Sequence, residues 1–464
     1  MGTTGCTEVS APSARPAAVA CAVITVLAQK SANALPTVTE VPFWHRLANA
    51  ILSCARYPAQ MLWPAHLAVW YPYPPTFSTW KVAGIGLLGL VISIAILREF
   101  RRRPYLAFGW IWYLLTLVPV IGLVQVGGQS HADRYTYVPL VGLFIMVAWG
   151  AADFAQRWQW RPGVLAVPGT LAVALCAALT IRQIGYWKDS ETLFTHALAI
   201  TQNNELAENN LGNALAGKGR LEEAITHFNE AVRLMPESAE AQNNLGAALG
   251  KQGSFSEAIP HLQEAVRLSP RNSGARCNLG DALLKTGQPR EAVAQYQQAL
   301  ELTPNDPASH SHLGHAFSAL GHFDRAIPQF QEALRLNPND AAAHNELGLA
   351  LAITGQLDQA INHLQTALKL SPDFAEAHCN LGIALINYNR LDEAIDHLRS
   401  AVKLNPNYPE AHCNLGVALG KKGLLDEAIA QLREALRLRP DYGDAQNNLR
   451  AVLHLQTQPA TSKP

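Results

Sequence analysis

The sequence predicts an all-α protein: a multi-span transmembrane helical bundle followed by an α-solenoid made from one repeated helix pair. Three observations carry that reading. Four apolar stretches follow one another at 82–97, 105–126, 138–152 and 163–181, with charges confined to the gaps. Seven glycines then recur every 34 residues, from Gly212 to Gly416. Charge also divides between the halves. The 464 residues carry 36 basic and 36 acidic side chains, yet residues 1–182 hold 13 basic and 5 acidic ones. The first half is therefore +8 and the second −8, and all ten tryptophans lie at or before Trp187. The length allows about three domains. The overall balance excludes a strongly basic nucleic-acid binder and a disordered acidic chain.

Residues 1–34 read as a signal-like or truncated first membrane segment. Arg15 precedes an apolar run at 17–28, and Ala32-Asn33-Ala34 has the small residues of a cleavage site. Residues 35–81 read as an outer interfacial segment. Phe43, Leu47, Ile51 and Cys54 repeat at helical spacing, which predicts a helix lying on the outer leaflet. Tyr71-Pro72-Tyr73-Pro74-Pro75 predicts an extended connection.

Residues 82–182 form the predicted four-span domain. A span needs about 20 residues, and aromatic residues at 80, 135 and 137 extend the two shorter stretches. Arg98, Arg101, Arg102 and Arg103 fill the first gap, and Arg157 and Arg161 the third. The positive-inside bias puts both on the cytoplasmic side, which leaves residues 127–137 and everything after Ile181 outside. Gly84, Gly86 and Gly89 spell G-x-G-x-x-G. Their apolar context speaks against dinucleotide binding and for close helix packing.

The 34-residue period continues through six columns. A leucine precedes each glycine, from Leu211 to Leu415. Alanines follow at Ala224 to Ala428 and again at Ala231 to Ala435, with a large apolar residue between them at Phe228 to Leu432. Each unit closes on proline, Pro236 to Pro440. Small residues let two helices approach, and proline ends the second helix. This is the pattern of the tetratricopeptide repeat. Seven repeats occupy 205–442, a joining half-repeat 183–204, a capping helix 443–456 and a disordered tail 457–464. The odd count of seven cysteines and the phase of Cys277, Cys379 and Cys413 fit core positions rather than a disulfide framework.

Two columns have polar potential. Two residues before each glycine position stand Asn210, Asn244, Asn278, His312, Glu346, Asn380, Asn414 and Asn448. An amide there can bind a peptide backbone or bond between neighbouring helices, and both readings stay open. His310, His344, His378 and His412 form the second column. Equivalent residues of stacked repeats stand too far apart to share a metal ion, so no metal is expected, and packing or hydrogen bonding between repeats is. No N-x-[ST] acceptor occurs after residue 183, which favours a bacterial periplasm over a glycosylating lumen.

Ala377-His378-Cys379-Asn380-Leu381-Gly382 and Ala411-His412-Cys413-Asn414-Leu415-Gly416 resemble the repeats of O-GlcNAc transferase, whose matching asparagines hold a peptide backbone. The whole arrangement resembles the transmembrane and tetratricopeptide-repeat O-mannosyltransferases, through Trp63-Pro64-Ala65-His66-Leu67-Ala68-Val69-Trp70-Tyr71-Pro72 and Ala132-Asp133-Arg134-Tyr135-Thr136-Tyr137-Val138-Pro139. That resemblance implies sugar transfer from a lipid-phosphate donor on the outer face. Arg134 would meet the phosphate, with Asp133 and Tyr135 orienting it. Alternatively, Asp133 and Arg134 pair with each other and cap a span. The family has more spans and an acidic early loop, whereas the outer segment here offers only Glu40 before Asp133. The chain therefore resembles the C-terminal part of such an enzyme, with no catalytic residue identified.

The expected function is a membrane-anchored extracytoplasmic scaffold that binds peptides or partner proteins without a cofactor. The alternative is the C-terminal part or subunit of a lipid-phosphate-sugar-dependent protein O-glycosyltransferase, completed by a missing N-terminal membrane subunit.

Overall fold

The computed structural model describes residues 42–62, 67–74, 76–118, 129–131 and 137–457. It divides into two compact units, Met1–Pro236 and Glu237–Pro464. Among the described residues the protein is all-α apart from one two-stranded ribbon.

The first unit opens with α1 (Phe43–Leu62), followed by β1 (Tyr71–Pro72), α2 (Thr79–Arg98) and α3 (Pro104–Leu117). After β2 (Gln129–His131) come α4 (Tyr137–Arg157) and α5 (Ala166–Tyr186). α2, α4 and α5 are each long and apolar enough to cross a membrane. α3 is apolar but shorter, and residues 119–126, the rest of the expected second span, lie outside the described residues.

This bundle turns its apolar side chains outward. No residue of α5 is buried, and Ile96 alone is buried in α2. In α1 the buried face is Asn49, Ala50, Ser53 and Tyr57, whereas Phe43 and Trp44 are exposed. The helix expected from the spacing of Phe43, Leu47, Ile51 and Cys54 is present, with Phe43 outward and Cys54 beside the buried cluster. Ala50 and Tyr57 pack with Tyr113, Leu117 and Leu143 of α3 and α4. Tyr113 Oη donates to the Cys54 carbonyl at 2.9 Å.

Close helix approach by glycine occurs, but not where the G-x-G-x-x-G run suggested it. A methyl group at Gly84 or Gly89 would meet nothing within 4 Å. At Gly109 of α3 and Gly142 of α4, a methyl on either would overlap the carbonyl oxygen of the other. The backbones touch there, which only glycine permits.

β1 and β2 pair antiparallel, with Tyr71 opposite His131 and Pro72 opposite Gln129. Residues 67–71 dock on α6 (Ser190–Ile200) and α7 (Glu205–Gly217), where Ala68, Ala197 and Ala207 are buried together. Asn204 Nδ2 donates to the Trp70 carbonyl at 3.2 Å. The same Asn204 caps α7 by accepting from Ala207 N. α8 (Leu221–Leu234) completes the first helix pair.

The second unit contains six further pairs: α9 (Ala239–Gln252) with α10 (Phe255–Leu268), α11 (Ser273–Lys285) with α12 (Pro289–Leu302), α13 (Pro307–Ala319) with α14 (Phe323–Leu336), α15 (Ala341–Ile353) with α16 (Leu357–Leu370), α17 (Ala375–Asn387) with α18 (Leu391–Leu404), and α19 (Pro409–Lys421) with α20 (Leu425–Leu438). α21 (Gly443–Thr457) follows. The glycine column is a steric requirement. Phe330 lies over Gly314 and Leu364 over Gly348, closer than any β-carbon allows. The alanine columns are fully buried beside them, for example Ala360 and Ala367. Asp306 and Asp340 cap their first helices through side-chain acceptance from the third helical N–H. Each second helix stops at an extended residue before proline, such as Asn337 before Pro338, because proline excludes helical geometry in the residue ahead of it. Successive first helices touch one another, and second helices pack mainly on first helices. The first helices therefore occupy the inner side of the array.

Candidate binding groove on the first helices

The asparagine column sits on those first helices, and its amides are partly engaged. Asn278 Nδ2 donates to Asn243 Oδ1 at 2.9 Å, and Asn380 Nδ2 to Asn345 Oδ1 at 3.0 Å. Each donor reaches the residue 35 positions back, in the preceding repeat. Asn448 Nδ2 points at Cys413 Sγ, 3.6 Å away. Asn414 Nδ2 lies 4.0 Å from Cys379 Sγ and donates to the Glu410 carbonyl at 2.9 Å. Burial pushes the Cys379 thiol up to about 11, so its sulfur stays neutral and accepts weakly. Asn244 accepts from Asn243 Nδ2 at 3.4 Å. In the first unit, Asn210 Nδ2 donates to the Leu206 carbonyl at 2.7 Å. Bonding between neighbouring helices is thus real in this column. The Oδ1 atoms of Asn278, Asn380, Asn414 and Asn448 accept no hydrogen bond among the described residues.

His312 and Glu346 interrupt the amides with a charged cluster. His312 Nδ1 lies 3.0 Å from Asp281 Oδ1, which also accepts from Tyr296 Oη at 2.6 Å. The neighbouring Asp281 carboxylate holds the His312 imidazole above its ordinary value against the opposing effect of burial. His315 Nδ1 stands 3.5 Å from Glu346 Oε2. Burial lowers His315, and the His312 and Lys285 charges add to that. Glu346 is pushed up to about 7, first by burial and then by Glu376, while the Asn345 amide pulls the other way. Asn278, Asp281, His312 and His315 line one cleft of about 470 Å³, with Lys251 and Lys285 at the C-terminal ends of α9 and α11. The sequence pattern singled out His312 and Glu346 but missed Asp281, Tyr296 and His315. Asp281 and His315 occupy one variable position of the repeat, and Tyr296 belongs to the large apolar column, so no period marked them.

The histidine column bonds between repeats. His310, His344, His378 and His412 each donate Nε2–H to the carbonyl of the proline closing the preceding repeat, at 3.0–3.2 Å. Cys379 and Cys413 are buried free thiols, and Cys277 is half-buried. No group of three or more metal-ligating side chains occurs among the described residues. Asp133, Arg134 and Tyr135 lie outside the described residues, between β2 and α4. In the first unit, a cleft of about 540 Å³ runs between α1, α4 and α5, lined by Tyr57, Met61, Phe144, Leu179, Gln183 and Trp187 among others.

The stacked pairs and their columns make this a tetratricopeptide-repeat protein. A family model for the C-terminal domain of cilia and flagella-associated protein 70 matches residues 270–463, and tetratricopeptide repeat models match 212–253 and 239–272. Over its repeats the chain is similar to two proteins named as protein O-mannosyl-transferases. It is 33% identical to Tmtc2 of Drosophila melanogaster over 110 residues, and 28% identical to TMTC4 of Homo sapiens over 162 residues. Those matches cover 24% and 34% of this chain but only 12% and 22% of the two relatives. Among solved structures, the Cut9–Hcn1 hetero-tetramer of the APC/C aligns with 76% of this chain and 69% of its own (20% identity, TM-score 0.48). YrrB, described as having an unusual peptide-binding site, aligns with 41% of this chain and 97% of its own (24% identity, TM-score 0.34).

Proposed function

We propose that the chain is a membrane-anchored scaffold whose first-helix groove holds extended peptide segments of partner proteins. The unengaged Oδ1 row carries this reading. Asn278, Asn380 and Asn448 spend a donor on the preceding repeat and Asn414 spends one on the Glu410 carbonyl of its own helix, so the carbonyls are held in place and free to accept backbone N–H groups. Recognition of that kind follows the peptide backbone and tolerates varied side chains. His312 and Glu346 then supply local preference.

The outward apolar surface of α2, α4 and α5 supports the anchor, since exposed apolar area of that extent needs a lipid or protein cover. Arg103 pairs with Asp153 at 3.0 Å, which brings the two arginine-rich gaps to one end of the bundle. The β1–β2 ribbon occupies the connections leading to the other helix ends. Both facts agree with cytoplasmic arginines and outward repeats. Absence of glycosylation acceptors favours a bacterial inner membrane with the repeats in the periplasm.

The experiment is peptide display on the full chain in detergent, followed by backbone N-methylation of a selected binder. N-methylated peptide should lose binding. Equal binding by methylated and unmethylated peptide would remove the backbone-capture reading.

One observation favours a second reading, a glycosyltransferase subunit. The β1–β2 pairing sets Tyr71-Pro72 beside residues 129–131, next in sequence to 132–136. Tyr71 and Pro72 close the first of the two segments that resemble the O-mannosyltransferases, and residues 132–136 of the second lie outside the described residues. In that reading Arg134, with Asp133 and Tyr135, meets a lipid-phosphate sugar, and a partner subunit supplies the catalytic acid. Labelling of an acceptor peptide from lipid-phosphate mannose by the purified chain with its membrane partner would support it. No labelling with that partner present would exclude it.

A further inference from the structure

One cleft of the groove differs in charge from the array around it. Residues 183–464 carry a balance of −8, yet the cleft on α9, α11 and α13 gathers Lys251, Lys285, His312 and His315 against a single carboxylate, Asp281. That carboxylate is already engaged, since its Oδ1 faces His312 Nδ1 and accepts from Tyr296 Oη. Asp306, Asp340 and Glu346 also act on the two imidazoles, but none of them lines the cleft. Lys251 and Lys285 stand exposed at the rim, and neither forms an ion pair among the described residues. Lys285 is close enough to His315 to oppose its protonation, so its charge bears on the cleft.

We propose that this cleft takes the carboxylate of an aspartate or glutamate side chain in the captured segment, held by Lys251, Lys285 and His312. The inference rests on peptide capture by the asparagine row and names the residue chemistry the row selects. Asn278 lines the same cleft, and its Oδ1 accepts no hydrogen bond among the described residues. One peptide residue therefore gives its backbone N–H to Asn278 and its side chain to the cations. With His312 charged and paired to Asp281, the two lysines are the unbalanced charges of the cleft. A carboxylate balances them through charge-assisted hydrogen bonds, whereas a lysine or arginine there would add a third positive charge. The position of the cleft assigns the anion to a side chain and not to a chain terminus. It is built on the second, third and fourth repeats of seven, and the row continues beyond it to Asn380, Asn414 and Asn448. A segment that follows the row passes through the cleft and runs on.

Short peptides selected by display on the full chain in detergent, then synthesised as C-terminal amides, test it. The selected sequences should share an Asp or Glu at one fixed position. Changing that residue to Asn or Gln should weaken binding about tenfold. The K251Q/K285Q variant should cost the acidic peptide a similar factor and leave the Asn or Gln peptide unaffected, which couples the acid to the lysines. Both lysines are exposed, so the variant keeps the fold, and unchanged helicity and melting check this. Peptides that lose binding on backbone N-methylation yet share no acid would overturn the acidic preference and leave backbone capture standing. So would equal binding of the acidic peptide by the variant and the parent chain, or binding that requires a free C-terminal carboxylate. Peptides indifferent to N-methylation would remove backbone capture, and this inference with it.

Discussion

At the scale of single residues, Glu346 and the lowered histidines make opposite contributions to stability. The Glu346 carboxyl sits at about 7 in the fold against 4.5 for an ordinary glutamate. Its neutral form is the one the fold favours, so its contribution is full below 4.5 and lost as pH rises through about 7. Glu346→Gln should therefore raise the melting temperature by about 2–4 °C at pH 8 and change it little at pH 5. His261, His315, His363 and His397 are lowered by burial, so they favour the fold above about 6.5, the ordinary histidine value, and oppose it as pH falls further. Melting followed from pH 7 to 5 should show this loss, and H315Q should flatten it. Asn389 marks a different kind of residue effect. It holds a left-handed φ of 64° where six other repeats place glycine. Asn389→Gly should stabilise the array by about 0.5 kcal/mol, measured by urea unfolding.

At the scale of elements, glycines separate into tight and open classes. A β-carbon at Gly348 would fall 2.6 Å from Leu364 Cγ, so Gly348→Ala should cost about 1–3 kcal/mol by overpacking. Gly84→Ala in α2 meets open space and should leave the melting temperature unchanged or slightly higher. These cases also show what was legible in the sequence. The helix pairs were legible because their columns repeat seven times and each column has one steric meaning. The Gly109–Gly142 contact was not, because two isolated glycines carry no period. The helix at α1 was legible from its apolar spacing, but its buried face was not, because the residues packed inward are small or polar, such as Asn49 and Ser53. The asparagine column was visible, but its inter-repeat bonds depend on a partner one position earlier, Asn243 or Asn345, that no single-column reading exposes.

At the scale of the whole molecule, the zero net charge is a sum over two different environments. The basic half carries its arginines in the gaps of an apolar bundle, and the acidic half is the helical repeat array. In the proposed topology a membrane separates the two sets. A phosphatase fused after Pro464 should then be active in intact bacteria and one fused at Arg102 inactive; the reverse pattern would invert the assignment. The central claim remains capture of a peptide backbone by the carboxamide row. Its most direct measurement is the Kd of a display-selected peptide for the full chain and for the Asn380→Ala, Asn414→Ala, Asn448→Ala triple variant. Three lost hydrogen bonds at about 0.5 kcal/mol or more each predict a Kd at least about tenfold weaker, with helicity unchanged. An unchanged Kd in a folded triple variant would contradict the account.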